Sequence, residues 1–168
     1  MEIRLLTVTD ANKYWDLRLE ALKQSPEAFS SSHEEAIQQE APIERVANNL
    51  SAEGNFTFGA FEQGELLGAV TLLQEKSLKL NHKANIYAMY VTPRKRGLGL
   101  GKALLSAAIN QARKLTSIEK LNLTVVTTNE QAKKLYSSLG FKVFGMEVQA
   151  LKINGQYFDE EYLSLFLK

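Results

Sequence analysis

Val91-Thr92-Pro93-Arg94-Lys95-Arg96-Gly97-Leu98-Gly99-Leu100-Gly101-Lys102 decides how this chain is read. A strand-like run, Ile86 to Val91, enters this glycine-rich turn, and Leu104, Leu105, Ala108, Ile109, Ala112 and Leu115 then recur at helical spacing. Glycines that bare successive backbone N–H groups at a helix N-terminus make an anion site. The first helical donors have no intrahelical partner there, and the helix dipole favours negative charge. Arg94, Lys95, Arg96 and Lys102 add positive charge around the turn. The pattern predicts a ligand that carries phosphate.

Spacing separates the phosphate loops that this could be. A P-loop needs a glycine five residues before Gly101 and Ser or Thr after Lys102, where this chain has Arg96 and Ala103. The dinucleotide pattern G-x-G-x-x-G/A ends on Lys102 if it starts at Gly97, and on Leu104 if it starts at Gly99. It also belongs to a first βαβ unit, far from this position. What fits is R-x-x-G-x-G, carried by Arg96, Gly99 and Gly101.

The following residues extend the pattern. Leu121, Leu123 and Val125 alternate along a half-buried strand. Ala132, Leu135, Tyr136 and Leu139 form an apolar helical stripe, Gly140 ends that helix, and Phe141 to Phe144 resumes a strand. Asn129 through Phe141 reads N-E-Q-A-K-K-L-Y-S-S-L-G-F. Together, R-x-x-G-x-G and N-x-x-A-x-x-L-Y-x-x-x-G-F resemble, in order and separation, the two signatures of the GNAT superfamily of acetyl-CoA-dependent N-acetyltransferases.

The wider sequence is compatible with that resemblance. At 168 residues and 45% hydrophobic content, the chain suits one domain, 1–168, with a sizeable core. Twenty basic and nineteen acidic residues give no nucleic-acid footprint. No apolar segment is long enough for a membrane helix, and Met1 to Leu6 lacks a signal core, so a cytoplasmic protein is expected. Cysteine is absent, which removes disulfides, thiolate zinc sites and an acetyl-cysteine intermediate. His33 and His82 stand far apart, so no metal site is expected.

Strands are predicted at Glu2 to Leu6, Phe56 to Phe61, Leu66 to Glu75, Ala84 to Val91, Leu121 to Val126, Phe141 to Ile153 and Gln156 to Leu167. Turns fall at Glu62-Gln63-Gly64-Glu65 and Asn154-Gly155. Thr9 or Asp10 caps a first helix that faces inward with Ala11, Trp15, Leu19 and Leu22. Ser31 or Ser32 caps a short second helix, and Pro42 opens a third with Ile43, Val46 and Leu50. The order βααα-βββ-αβα-ββ implies an α+β fold with a central mixed sheet of six to seven strands flanked by helices. It matches the GNAT-like acyl-CoA N-acyltransferase fold, splayed at the cofactor strand, over essentially the whole chain.

The resemblance implies acetyl-CoA as co-substrate. Its pantetheine arm would lie along the backbone of Met89, Tyr90 and Val91, with an N–H at or beside Val91 as oxyanion donor. As side chains, Met89 and Tyr90 read as core and sheet packing. The N–H groups of Arg96, Gly97, Leu98, Gly99, Leu100, Gly101 and Lys102 would hold the pyrophosphate. The Arg96 guanidinium reads either as a phosphate contact or as a solvated surface group. Lys133 and Lys134 face the ribose phosphate or solvent. Asn129 would meet the pantetheine amides if Thr128 and Gln131 take over helix capping. Tyr136 is the expected general acid for the departing thiolate.

The general base departs from the family pattern. Some family members carry a glutamate six residues before the residue equivalent to Val91, where this chain has Asn85. His82, Glu34, Glu35, Glu147 or water chains are the alternatives. The acceptor walls implied by the family are 29–35 and 157–162, with Phe29, Ser32, Glu34, Tyr157 and Asp159 as candidate contacts. Their carboxylates and aromatics suit a cationic amine. The expected reaction is direct attack by a small-molecule primary amine; a protein N-terminus or lysine acceptor, or a non-catalytic acyl-CoA sensor, are the rival readings. A homodimer is also open, with Leu163, Leu165, Phe166 and Leu167 either joining a neighbour's sheet or lying in the core.

Overall fold

The computed structural model describes residues 1–168. In chain order it contains β1 (Glu2–Leu5), α1 (Ala11–Gln24), α2 (His33–Ile37), α3 (Pro42–Ser51), β2 (Asn55–Glu62), β3 (Glu65–Gln74), β4 (Lys83–Val91), α4 (Leu100–Lys114), β5 (Lys120–Val126), α5 (Glu130–Ser138), β6 (Lys142–Ile153) and β7 (Gln156–Phe166). Seven strands form one mixed sheet in the order β1-β2-β3-β4-β5-β7-β6, antiparallel except where β4 meets β5. The mixed, helix-flanked sheet expected from the sequence is the fold found.

Local chemistry accounts for the joints. Gln63 and Gly64, and likewise Asn154 and Gly155, have positive φ at both positions, as two-residue hairpin turns that follow the strand twist require. The Ser32 hydroxyl accepts the Glu35 N–H while the Glu35 carboxylate reaches back to Ser32, so α2 starts with a closed capping box. Pro42 occupies the first turn of α3, where its missing N–H costs nothing.

Two apolar clusters sandwich the sheet. Leu104, Leu105, Ala108 and Ala112 of α4 are fully buried in the larger one, with Val70 and Leu72 of β3 and Leu121 of β5. Tyr136 of α5 and Phe141 join the same cluster. Leu17 and Ala21 of α1 pack with Leu6, Phe61, Leu66, Ala69 and Tyr90 in the smaller one.

Two expectations need correcting. The buried residues of α1 are Ala11, Leu17, Ala21 and Leu22, whereas Trp15 and Leu19 are half-buried. Each lies two positions from Leu17, on the order of 160° around the helix from the side chain that enters the cluster. From Glu160 to Ser164 β7 is paired on both edges, by β5 and by β6, so Leu163 has no free edge to offer a neighbour's sheet, whereas Leu165 and Phe166 pair with β5 alone. Leu163 is core, Phe166 is exposed, and the free edge on that side belongs to β6. No helix is long and apolar enough to cross a membrane.

Candidate active site

The central opening of the sheet arises from one short parallel pairing. β4 and β5 are in register only at Lys83 with Lys120, Ala84 with Leu121 and Asn85 with Asn122. Beyond those residues the strands part. On its other side β4 carries a bulge: Ala69 faces Tyr90 and Thr71 faces Tyr87, so Ala88 and Met89 together oppose Val70. Ala88 adopts φ +50°, an uncommon conformation for a residue with a Cβ. A bulge bends its strand and increases local twist. The result is a cleft of about 820 Å³ between Ile86–Val91 and 123–126, floored by Leu135 and Tyr136 of α5.

The glycine turn forms one end of this cleft. A 3-10 turn, Pro93–Lys95, precedes it, and the Arg96 N–H is taken by the Pro93 carbonyl at 3.2 Å. Gly97 and Gly99 then adopt φ +76° and +83°, so both use freedom that only glycine has without strain. From Gly97 to Lys102 no backbone N–H has a hydrogen-bond acceptor; the next bond is from Ala103 N–H to the Gly99 carbonyl. The run of free donors therefore starts at Gly97, not at Arg96. A Cβ on Gly101 would lie 3.2 Å from both Leu135 Cδ2 and Met89 Cε, so the start of α4 packs tightly on α5 and β4.

The basic residues of the turn are not equivalent. Arg94 pairs with Glu65, and Lys95 with Glu62, on the β2–β3 turn. The Nε–H of Arg96 donates to the Val91 carbonyl at 2.9 Å, and its guanidinium lies 5.4 Å from the Tyr90 ring. The residue as a whole remains exposed, with that one donor turned inward. Lys102 lines the cleft and has no acidic partner. Of the expected cofactor residues, Met89, Tyr90, Val91, Arg96, Gly97, Gly99, Leu100, Gly101, Lys102, Asn129 and Tyr136 line the cleft, whereas Leu98 lies outside the lining and is 66% exposed.

Asn129 caps α5 itself, accepting the Ala132 N–H at 3.1 Å, so Thr128 and Gln131 do not relieve it of that task. Its amide NH2 retains two donors on the cleft wall. Tyr136 is buried, with Phe141 edge-on at 6.0 Å, and its hydroxyl makes no hydrogen bond. Desolvation pushes its pKa up to about 12, so the phenol keeps its proton at neutral pH. Lys133 turns back to Glu161 at 3.4 Å and Glu130 at 3.7 Å.

The rest of the lining comes from α1, the segment after it and β7. Arg18 lies 4.6 Å from the Phe29 ring, Phe29 lies 6.4 Å from the Tyr90 ring, and Glu160 lines the same cleft. The Tyr90 hydroxyl donates to Glu20 at 2.9 Å, and burial pushes its pKa to about 12. Among the expected acceptor contacts, Phe29 lies in the lining, and Ser32, Glu34, Tyr157 and Asp159 lie outside it. Ser32 is engaged in capping α2, Asp159 accepts the Gln149 N–H at 2.7 Å, and Tyr157 sits under Lys152. Glu34, Glu35, His82 and Glu147 are also absent from the lining, and Asn85 donates to Glu75 at 2.7 Å.

The carboxylate that does reach the cleft is Glu160, which sequence reasoning missed. It stands opposite Val126 in the β5–β7 register. Burial, and then the nearby charge of Glu147, raise its pKa. Asp159, Glu160 and Glu161 are consecutive acids, and only strand register selects among them. Arg18 was missed too, because on α1 it reads as one more polar residue.

A sheet parted at its centre, with a glycine-rich helix start of free N–H groups and a buried tyrosine on the same gap, is the architecture of the GNAT fold. The chain belongs to that family: the model described as Acetyltransferase (GNAT) domain matches residues 3–162. The L-amino acid N-acetyltransferase AaaT of Escherichia coli is 26% identical over 101 residues, covering 60% of this chain and 62% of that protein. The spermidine N(1)-acetyltransferase of Escherichia coli is 31% identical over 94 residues, 56% of this chain and 49% of that protein. A mycothiol acetyltransferase of Paenarthrobacter aurescens is 34% identical over 116 residues, 68% of this chain and 36% of that protein. The matches thus span less than two thirds of each relative. Among solved structures, a GNAT-family acetyltransferase from Streptococcus pneumoniae superimposes with TM-score 0.87 at 23% identity, covering 99% of both chains. The putative acetyltransferase yncA of Salmonella typhimurium, solved with its cofactor acetyl-CoA, gives 0.86 at 23% identity, covering 100% of this chain and 94% of that one.

Proposed function

We propose that this chain is a cytoplasmic N-acetyltransferase, one domain across residues 1–168, that moves an acetyl group from acetyl-CoA to a small-molecule primary amine. The observation that carries this reading is the unbroken run of unbonded N–H groups, Gly97 to Lys102, opening onto the same cleft as Tyr136. The relatives named for amino acids, spermidine and mycothiol support a small acceptor.

Acetyl-CoA supplies an activated acyl carbon as a thioester. The Gly97–Lys102 donors and the Lys102 ammonium suit its pyrophosphate. The backbone edge of Met89, Tyr90 and Val91 suits the amide-bearing arm, which pairs there as an added strand would. Glu160 accepts a proton from the acceptor's ammonium, and the free amine then attacks the acyl carbon. A backbone N–H at or beside Val91 holds the oxyanion. When the carbon–sulfur bond breaks, Tyr136 gives its proton to the departing thiolate and is reprotonated from solvent. With no cysteine in the chain, the acetyl group has no thiol to rest on, and sequential kinetics are expected.

The test is Tyr136→Phe, assayed by thiol release over a panel of amines, amino acids and N-terminal peptides. Turnover should fall about 100-fold or more, with CoA affinity and melting temperature near wild type, because the lost hydroxyl has no hydrogen bond to forfeit. Unchanged turnover in the variant would remove Tyr136 as the acid. Silence of the wild-type protein on the whole panel, with CoA bound, would point to a sensor instead. Signal from peptides alone would point to a protein acetyltransferase.

A further inference from the structure

We infer that Arg18 is an anion anchor in the acceptor half of the cleft, so that the acceptor is an amino-carboxylate or a close oxyanion analogue and not a simple polyamine. The inference rests on the acetyltransferase reading above, whose acceptor it specifies. Arg18 reaches the cleft from α1 and lies with its guanidinium 4.6 Å from the Phe29 ring centre. Its Nη1 is sealed from solvent and has no hydrogen-bond partner. No carboxylate forms an ion pair with it, and burial pulls its pKa below the ordinary arginine value.

The other arginines show how unusual this is. Arg4 makes a two-pronged pair with Asp10, Arg94 pairs with Glu65, and Arg96 donates to the Val91 carbonyl. Arg45 and Arg113 are exposed to water. Arg18 is the one arginine with a guanidinium nitrogen drawn out of water and no acceptor for it. A cation in that position is costly unless a counter-charge arrives. Phe29 covers a face of the guanidinium and Nη1 is sealed, which leaves the Nε and Nη2 side, a donor pair that matches a carboxylate with two parallel hydrogen bonds.

Lys102 and the free N–H groups of the glycine turn suit phosphate. Away from that turn the lining holds one cation, Arg18, and one carboxylate, Glu160. A zwitterion would use both: carboxylate to Arg18, ammonium to Glu160. Arg18, Tyr87 and Ala88 also line a second cavity of about 190 Å³, with Asn49, Asn55 and Thr57 on its wall. The anchor therefore sits where an acceptor side chain has room to continue. A polyamine would instead bring positive charge against an unpartnered guanidinium.

The experiment uses the purified chain, L-amino acids, their carboxamides, the decarboxylated amines of the same skeletons, and spermidine. Two readouts run in parallel: thiol release with acetyl-CoA, and calorimetric binding of the amino acids to the CoA-loaded protein. In the wild type, free carboxylates should exceed their amides in kcat/KM and in affinity on the order of 10- to 100-fold. Arg18→Gln should erase that preference, raising KM for the acid with the KM for acetyl-CoA within about twofold, while Arg18→Lys recovers part of it. A thermal melt establishes that each variant folds.

Equal use of acids and amides, a preference for spermidine, or an Arg18→Gln defect shared equally by all acceptors would overturn the anchor and leave the acetyltransferase reading standing. Arg18-dependent binding of amino acids without turnover would sustain the anchor and overturn catalysis. Absence of both binding and turnover would overturn both.

Discussion

Replacing Gly99 by alanine isolates the glycine turn's part in cofactor binding, provided Gly155→Ala is made beside it. Gly99 has φ +83° and Gly155 φ +80°, and a Cβ at either position meets no protein atom within 4 Å. Neither substitution creates a clash, so each carries the same cost, about 1–2 kcal/mol for placing an L-residue in the left-handed region. In a chain of 168 residues each kcal/mol lowers the melting temperature by about 2–4 °C. The two variants should melt together. They should part on CoA: Gly99 lies between the free donors of the turn, whereas Gly155 closes the β6–β7 hairpin outside the cleft. Phosphate oxygens held about 2.9 Å from those N–H groups would meet the new methyl, and affinity should fall about tenfold, the equivalent of about 1.4 kcal/mol. Titration calorimetry with CoA and thermal melts in one buffer measure both quantities. Wild-type affinity in Gly99→Ala would refute the phosphate cradle. An equal loss in Gly155→Ala would show that the affinity change merely follows stability.

Two further predictions concern the supports of the fold. The two hydrogen bonds from Arg4 hold the Asp10 carboxyl down to about 2, below its ordinary 3.8. A depressed carboxylate stabilises above its unfolded value, and that contribution is lost as pH falls from about 4 through about 2. The shift corresponds to about 2.4 kcal/mol unscreened; with Arg4 37% exposed, solvent reduces it to about 1 kcal/mol. Urea denaturation of wild type and Asp10→Asn should therefore differ at pH 7 and converge near pH 2, and a gap independent of pH would contradict the assignment. Asn129→Ala removes the α5 cap and should cost about 1 kcal/mol, whereas Asn129→Asp keeps the accepting oxygen and should melt like wild type. If CoA affinity falls in both variants, the Asn129 amide donors contact the ligand; if it falls in alanine alone, Asn129 acts through the helix.

The sequence revealed most of the architecture because its signals are local. Alternation in β5, the stripe of α4 and the Asn154-Gly155 turn each depend on a few neighbouring residues, and each lies where the pattern places it. The inward face of α1 was misread because Trp15 and Leu19 are large and apolar, while the positions taken into the smaller cluster are Leu17 and Ala21. The phosphate end was legible for the same local reason, since glycine spacing and helix start lie within one turn of chain. The acceptor end was not. Arg18 and Glu160 are 142 residues apart in the chain and come to line one cleft through the packing of α1 and the β5–β7 register. No short pattern contains either, and the acidic stretches that composition made prominent are spent on capping α2 and on the β6–β7 bulge.

One physical cause unites the two protons that the proposed reaction moves. Tyr136 and Glu160 line the same cleft, and desolvation is the largest influence on both. Burial disfavours the charged form of each, yet the consequences for catalysis are opposite. In the tyrosine it holds the proton on the phenol more tightly, which makes it a weaker acid than a solvated one. In the glutamate, where Glu147 adds to the effect, it makes the carboxylate a stronger base than a solvated one. Widening the cleft to water should thus make Glu160 a weaker base and Tyr136 a stronger acid, and a substitution such as Phe29→Ala, which opens the wall beside Arg18, would shift both without touching either proton carrier.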